Sequence, residues 1–290
     1  MPTLNPSFVP WDDLSTLRGE CFPPPAVFPG LWACGSLEGL RRHTVAIVGT
    51  RAASRAGKEL SRTVARELAA AGLCVISGLA LGIDAAAHQG ALEAGAPTIG
   101  ILGGGHRRFF PMRNRELADR IIEAGGAVCS PFGPDEAAMP YRFLERNGAV
   151  AALADAVVVI EAPERSGALN TAGWAAGRIP VLVFPGDVDR RSVAGCLVLL
   201  RDGATLVRDA ADILGEMRLT RVPQQTSLTA YAPQSPLTAQ IIDALAREPL
   251  SVDQLVEMTA ATPASVLSVL TELEFGGVVM RREGGVFARS

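Results

Sequence analysis

The chain has 290 residues, 48% of them hydrophobic, and a formal net charge of −3. That length fills one large domain or two unequal ones with a sizeable core. The slightly acidic balance excludes a general basic coat for nucleic acid and leaves only local patches. All but one of the 27 basic residues are arginine, the exception being Lys58, a bias read here as that of a GC-rich genome.

The five cysteines, Cys21, Cys34, Cys74, Cys129 and Cys196, form no C-x-x-C pair and read as free thiols of a reducing compartment. The N-terminus lacks a basic start followed by an apolar run. The longest apolar stretch, AVAALADAVVVI, is broken by Asp155. Neither a signal peptide nor a membrane span is expected, and the chain reads as cytoplasmic.

Residues 1–40 are proline-rich and weakly patterned, and read as an extended lead-in packed on the main domain. A main α/β domain is expected over 41–217. Its apolar runs VAIVG (45–49), CVISG (74–78), TIGIL (98–102), AVCS (127–130), AVVVIEA (156–162) and PVLVFPG (180–186) lack polar alternation, as strands buried on both faces of a parallel sheet do. Helical segments lie between them, most ending in glycine. This alternation predicts an extended Rossmann-like, doubly wound, mostly parallel sheet. Residues 218–236 are polar and proline-bearing and read as a linker. Over 237–290, three short helices and a strand–Gly-Gly–strand hairpin predict a small winged-helix domain. Thr262 is its expected N-cap, Pro263 lies at N1 of the third helix, and Arg281, Arg282 and Arg289 sit in the hairpin. That third helix carries Glu272 and Glu274 but no basic residue, which favours a protein-contact module over a duplex reader.

Ligands of open α/β sheets sit beyond the carboxyl ends of the strands. The residues expected there are Gly49, Thr50, Arg51 and Arg55 after the first run and Ser77 and Gly78 after the second. The third run leads to Arg107, Arg113, Asn114 and Arg115. Arg146 and Asn147 lie in the helix that follows the fourth run. Ser166, Gly167, Asn170 and Thr171 open a helix after the fifth. The first turn is neither a dinucleotide fingerprint nor a Walker loop. Two strand-to-helix turns with a rim of arginines match a row of phosphates, as a polynucleotide backbone presents, better than one nucleotide. Within GGGHRRFFPMRNR, Phe109 and Phe110 are placed to stack on a base or to pack beneath the loop, and packing is expected for Phe110. Asp84 and His88 share a helix face. Without a second histidine or cysteine cluster they read as loop supports, and no metal or cofactor is expected.

Taken together, VAIVGTR, SGLALGIDAAAH, TIGILGGG…FFPMRN, Arg146–Asn147, VVVIEAPERSGALNTA, VFPGDVD and AGCLVLLRDGA resemble the bacterial DNA-processing protein A family (DprA, also called Smf), from about Pro23 to the C-terminus. The resemblance implies single-stranded DNA binding in natural transformation, displacement of single-strand-binding protein, loading of the RecA recombinase, no catalysis, and action as a homodimer. It implies a G-[ST]-R turn at Gly49, Thr50 and Arg51 and subunit contacts near Leu197, Leu199 and Leu200. An apolar core helix over the same segment is the competing reading. The sequence departs from the family at Leu144, Glu145 and Gly148 around the Arg-Asn pair, and at Met112 in the third loop. The alternative is a nucleotide phosphoribohydrolase-like enzyme of similar sheet, but its general-acid glutamate falls on Trp174, and an indole moves no proton.

Overall fold

The computed structural model describes residues 4–19, 28–217, 236–245, 249–275, 279–281 and 286–289, in two compact units divided between Val222 and Pro223. The linker read over 218–236 falls, up to 235, outside the described residues, as does Cys21.

In chain order the first unit runs β1 (Ser7–Pro10), α1 (Trp11–Arg18), β2 (Gly30–Gly35), β3 (Thr44–Gly49), α2 (Arg55–Ala70), β4 (Cys74–Ser77), α3 (Ile83–Glu93), β5 (Thr98–Ile101), α4 (Arg115–Glu123), β6 (Ala127–Ser130), α5 (Pro140–Ala152), β7 (Ala156–Ile160), α6 (Gly167–Ala175), β8 (Val181–Val183), α7 (Ala194–Arg201), β9 (Thr205–Leu206) and α8 (Ala210–Glu216). The strands form one sheet in the order β1-β2-β6-β5-β4-β3-β7-β8-β9. From β3 the chain builds outward through β4, β5 and β6, then returns to the other side through β7, β8 and β9. All these pairings are parallel. The reversal lies between β3 and β7, where the loops diverge and leave a crevice.

Successive strand residues feed opposite faces. Ala46 and Val48 of β3 join a core that includes residues of α1, α5, α6 and α7. Val45 and Ile47 join one that includes residues of α2, α3 and α8. The six apolar runs are β3 to β8. The lead-in is more than an extended segment: β1 and β2 continue the sheet antiparallel beyond β6, and Leu14 and Leu31 are fully buried. Elements this short, among prolines, leave no period to detect.

A polar clasp ties α1 to the sheet's lower end. Arg18, with only 4% of its side chain exposed, pairs through Nη2 with Asp155 Oδ1. The other Asp155 oxygen accepts from the Thr44 amide at 2.7 Å. Asp155→Ala leaves Arg18 buried without its counter-charge, and is expected to lower unfolding free energy by about 2–4 kcal/mol, read from a thermal or urea melt.

The second unit comprises α9 (Pro236–Leu245), β10 (Leu250–Ser251), α10 (Val252–Thr259), α11 (Pro263–Phe275), β11 (Val279–Arg281) and β12 (Val286–Arg289), with sheet order β10-β12-β11. Three helices and a small sheet around Ile241, Leu255, Val266, Leu270, Leu273 and Phe287 make a winged helix. Ser251 and Gln254 form a capping box on α10, and Thr262 Oγ1 accepts the Ser265 amide at 3.3 Å to cap α11. The outward residues Ala264, Ser265, Leu267 and Ser268 of α11 are uncharged. The side chains of Glu272, Glu274, Arg281, Arg282 and Arg289 lie outside the description.

Candidate nucleic-acid interface

The crevice between β3 and β7 opens into a cavity of about 660 Å³. Gly49, Thr50, Arg51, Gly78, Arg146, Asn147, Ser166, Gly167 and Thr171 all line it. Nine of the sixteen residues expected to contact nucleic acid are therefore brought together, from segments more than a hundred residues apart.

Each is held by local structure. Thr50 donates its amide to Glu161 O at 2.8 Å, joining the turns after β3 and β7. Arg51 is exposed, and its guanidinium lies 4.7 Å from the centroid of Phe143 in α5. Stacking on the ring orients the charge without neutralising it. Gly78 has to be glycine: a Cβ there would lie 2.5 Å from Arg146 Nη1 and 2.6 Å from Asp84 Oδ2. Ser166 caps α6, its Oγ accepting the Ala168 amide at 3.1 Å. Asn147 Nδ2 donates to Gly167 O at 3.0 Å and to Asn170 Oδ1 at 3.2 Å, so α5 fixes the start of α6. Thr171 is buried, its hydroxyl donating to Gly167 O at 3.4 Å.

Arg146 is only 4% exposed. Its Nη1 donates to the carbonyls of Gly78 and Ile101, and its Nε donates to Asn147 Oδ1 at 3.2 Å. It makes no ion pair with a described carboxylate. Burial pulls its pKa down to about 10, Asp84 opposing and Arg51 assisting. Asp84 instead accepts the Gly78 and Ala80 amides at 3.1 and 3.4 Å. Burial pushes its pKa up against the pull of Arg146. His88 does not share a site with Asp84. Its Nδ1 lies 2.8 Å from Thr98 Oγ1, and burial holds it neutral, its pKa down to about 3.

Several expected contacts are elsewhere. Ser77 is fully buried, and its hydroxyl donates to Ile47 O at 2.6 Å, a strand-to-strand tie. Asn114 is buried and donates to Leu79 O at 2.8 Å. Arg115 folds back on Asp119 at 3.2 Å and over the Phe109 ring at 5.5 Å. Arg107 pairs with Asp135 at 2.7 Å. Exposed Arg55 and Arg113 do not line the cavity, nor does Asn170. The third loop thus spends most of its polar groups on its own support. Phe110 is the reverse of the expectation, while Phe109 takes the packing alternative. Phe109 is buried among Cys34, Leu79, Leu102 and Leu117. Phe110, turned the other way, is 50% exposed at the cavity and packs edge-on to Phe143 at 6.0 Å.

The first turn also departs from the simple picture of a phosphate cradle. Ser54 Oγ accepts the Gly57 amide at 2.9 Å and donates to Glu161 Oε1 at 2.5 Å. The Ser54 amide donates to Glu161 Oε2 at 2.8 Å. The N-terminus of α2 is therefore occupied by the protein's own carboxylate. Glu161 reaches it from the left-handed region, φ +47°, and Arg190 braces it at 3.2 Å. Two other helix starts, at Pro140 of α5 and Gly167 of α6, border the cavity, and their free N–H groups favour anions.

Arg165 is a lining cation that the sequence reading passed over. Its place next to the Ser166–Gly167 helix start was the available signal. Phe143 and Leu144 also line the cavity, so the Leu144 departure lies within the site. Trp174, at the position where the alternative enzyme needs its acid, packs partly buried against the core.

A doubly wound sheet with a cation-lined crevice at its reversal point, followed by a winged helix, defines a Rossmann-like protein with an arginine-bearing switch point. The chain belongs to the DNA recombination-mediator protein A family, whose model matches residues 17–218, and a DprA winged helix domain model matches residues 225–285. It is 37% identical over 265 residues to a DNA processing protein DprA of Mycobacterium tuberculosis, covering 88% of this chain and 67% of the relative. It is 33% identical over 279 residues to protein Smf of Escherichia coli K12, covering 92% and 74%. Among solved structures, DNA processing protein A from Streptococcus pneumoniae superposes with a TM-score of 0.61 at 33% identity, over 72% of this chain and 78% of that one. DNA processing protein A from Helicobacter pylori, studied for its single-stranded DNA binding mode, gives 0.62 at 28% identity over 73% and 95%.

Proposed function

We propose that this protein is a non-catalytic single-stranded DNA-binding recombination mediator acting in the cytoplasm during natural transformation. In that role it protects incoming strands, displaces single-strand-binding protein and loads RecA. The observation that carries the reading is the convergence of Arg51, Arg146 and Arg165 with two helix starts on one crevice, where Asp84 is the only carboxylate among the described lining residues. The exposed Phe110 and Leu144 beside these cations offer apolar surface to an unpaired base, which duplex DNA keeps stacked. The Helicobacter relative's single-stranded DNA binding supports the same assignment.

A single-stranded oligonucleotide is expected to bind far more tightly than a duplex or a mononucleotide. With about three phosphates neutralised, raising salt from about 50 to about 200 mM should weaken it about 20-fold. Equal affinity for duplex, or binding insensitive to salt, would overturn the reading.

The homodimer belongs to the same proposal. Leu197, Leu199 and Leu200 of α7 are half-buried, the latter two against the core, while Val198 between them is exposed. Val198→Glu therefore tests the contact without disturbing the interior, and the expected result is a monomer's mass in light scattering.

A further inference from the structure

The cavity's cations lie at two depths. Arg51 and Arg165 are exposed, where a strand passing over the mouth meets them. Arg146 is recessed and nine-tenths buried, with no ion-pair partner among the described residues. Three of its contacts are accounted for by Nη1 and Nε, leaving Nη2 without an acceptor among the described residues. Beside it the α6 start presents Gly167, where added bulk would meet only Asn147 Nδ2, at 3.6 Å. The one described carboxylate acting on it, Asp84, lies beyond ion-pair distance, and a buried cation so weakly compensated is costly in a folded protein unless a ligand supplies more negative charge.

An internal phosphodiester carries one negative charge and a nucleoside on each side, so the strand would have to enter and leave the same cavity to present it. A terminal phosphomonoester carries nearly two charges at neutral pH and brings one nucleoside. A volume of about 660 Å³ is that of a small-molecule site. The geometry points to a seat for the phosphomonoester of a strand's terminal nucleotide, held between Arg146 Nη2 and the start of α6. Asp84 competes for the same guanidinium without blocking the seat, its carboxylate being held by the Gly78 and Ala80 amides.

The inference rests on the proposed single-stranded DNA binding and is separable from it. Affinities of this full chain are measured for oligothymidylates of one length carrying a 5′-phosphate, a 3′-phosphate, or hydroxyls at both ends, with dTMP as a fourth ligand. One of the two phosphorylated oligomers is expected to bind at least about tenfold more tightly than the hydroxyl-ended one, a difference of about 1.4 kcal/mol. Which one does so fixes the polarity. Equal binding of all three oligomers overturns the seat and leaves strand binding standing. No binding of any oligomer overturns the underlying reading. Binding of dTMP as tight as the phosphorylated oligomer assigns the seat to a free nucleotide and overturns the strand-end inference. Arg146→Gln should bring the ratio between phosphorylated and hydroxyl ends toward one. Because Arg146 also supports the fold, Gly167→Ala, whose methyl makes ordinary contact, provides the second variant and should compress the same ratio. An unchanged ratio in Gly167→Ala counts against the seat.

Discussion

Arg51→Glu is expected to weaken single-stranded oligonucleotide binding about 100-fold, the loss of a charge-assisted phosphate contact plus the repulsion put in its place. The thermal midpoint should barely move. Arg51 is exposed and makes no ion pair with a described residue, and its described side-chain contact is the face of Phe143. The two readouts separate because the residue reaches into the crevice from a turn that other groups hold: the Thr50 amide on Glu161 O and the Ser54 amide on the Glu161 carboxylate. Fluorescence anisotropy with a labelled oligomer, paired with a melt, checks both. Wild-type affinity in the variant would remove Arg51 from the path of the strand.

Two residues back along the chain, stability and binding are expected to fall together. Gly49→Ala places a Cβ 2.0 Å from Ile160 O and 2.5 Å from Ile83 Cγ1. Neither neighbour yields easily: one is the backbone of β7, the other a fully buried side chain of α3. The methyl must push β3 from β7 at the point where the crevice opens. Overpacking of this kind is expected to cost about 3–5 kcal/mol and to lower the melting temperature by roughly 10 °C. Strand binding should fall with it, because Thr50 and Arg51 are carried on the displaced turn. A melt that matches the wild type would show that the strands separate there without penalty. Asp155→Ala, at the other end of the sheet, should destabilise by a different route, the loss of Arg18's counter-charge, without touching the crevice.

The six central strands were legible because strands covered on both faces are continuously apolar, and that signal survives without partners. The nine crevice residues were legible because a doubly wound sheet fixes which strand ends share a rim. Less was visible where side chains serve their own loop. Arg107, Asn114 and Arg115 have the composition of an anion site, yet their charges and donors are used within the protein by Asp135, Leu79 O and Asp119. Sequence shows that such a group is present but not that it is already engaged. Phe109 and Phe110 illustrate the same limit: adjacent rings in extended backbone point opposite ways, and only the packing around Leu79 and Leu117 decides which is inside. The lead-in strands escaped because four to six residues between prolines carry no readable period.

The carboxylate of Glu161 at the head of α2 bears on which anions that turn can accept. NAD, FAD and similar carriers dock on this architecture by laying a diphosphate against that helix end. Here they meet a fixed negative group and a filled hydrogen-bonding position. A diphosphate is thereby disfavoured at the first turn, and the helix starts left open to an anion at the crevice are those of α5 and α6.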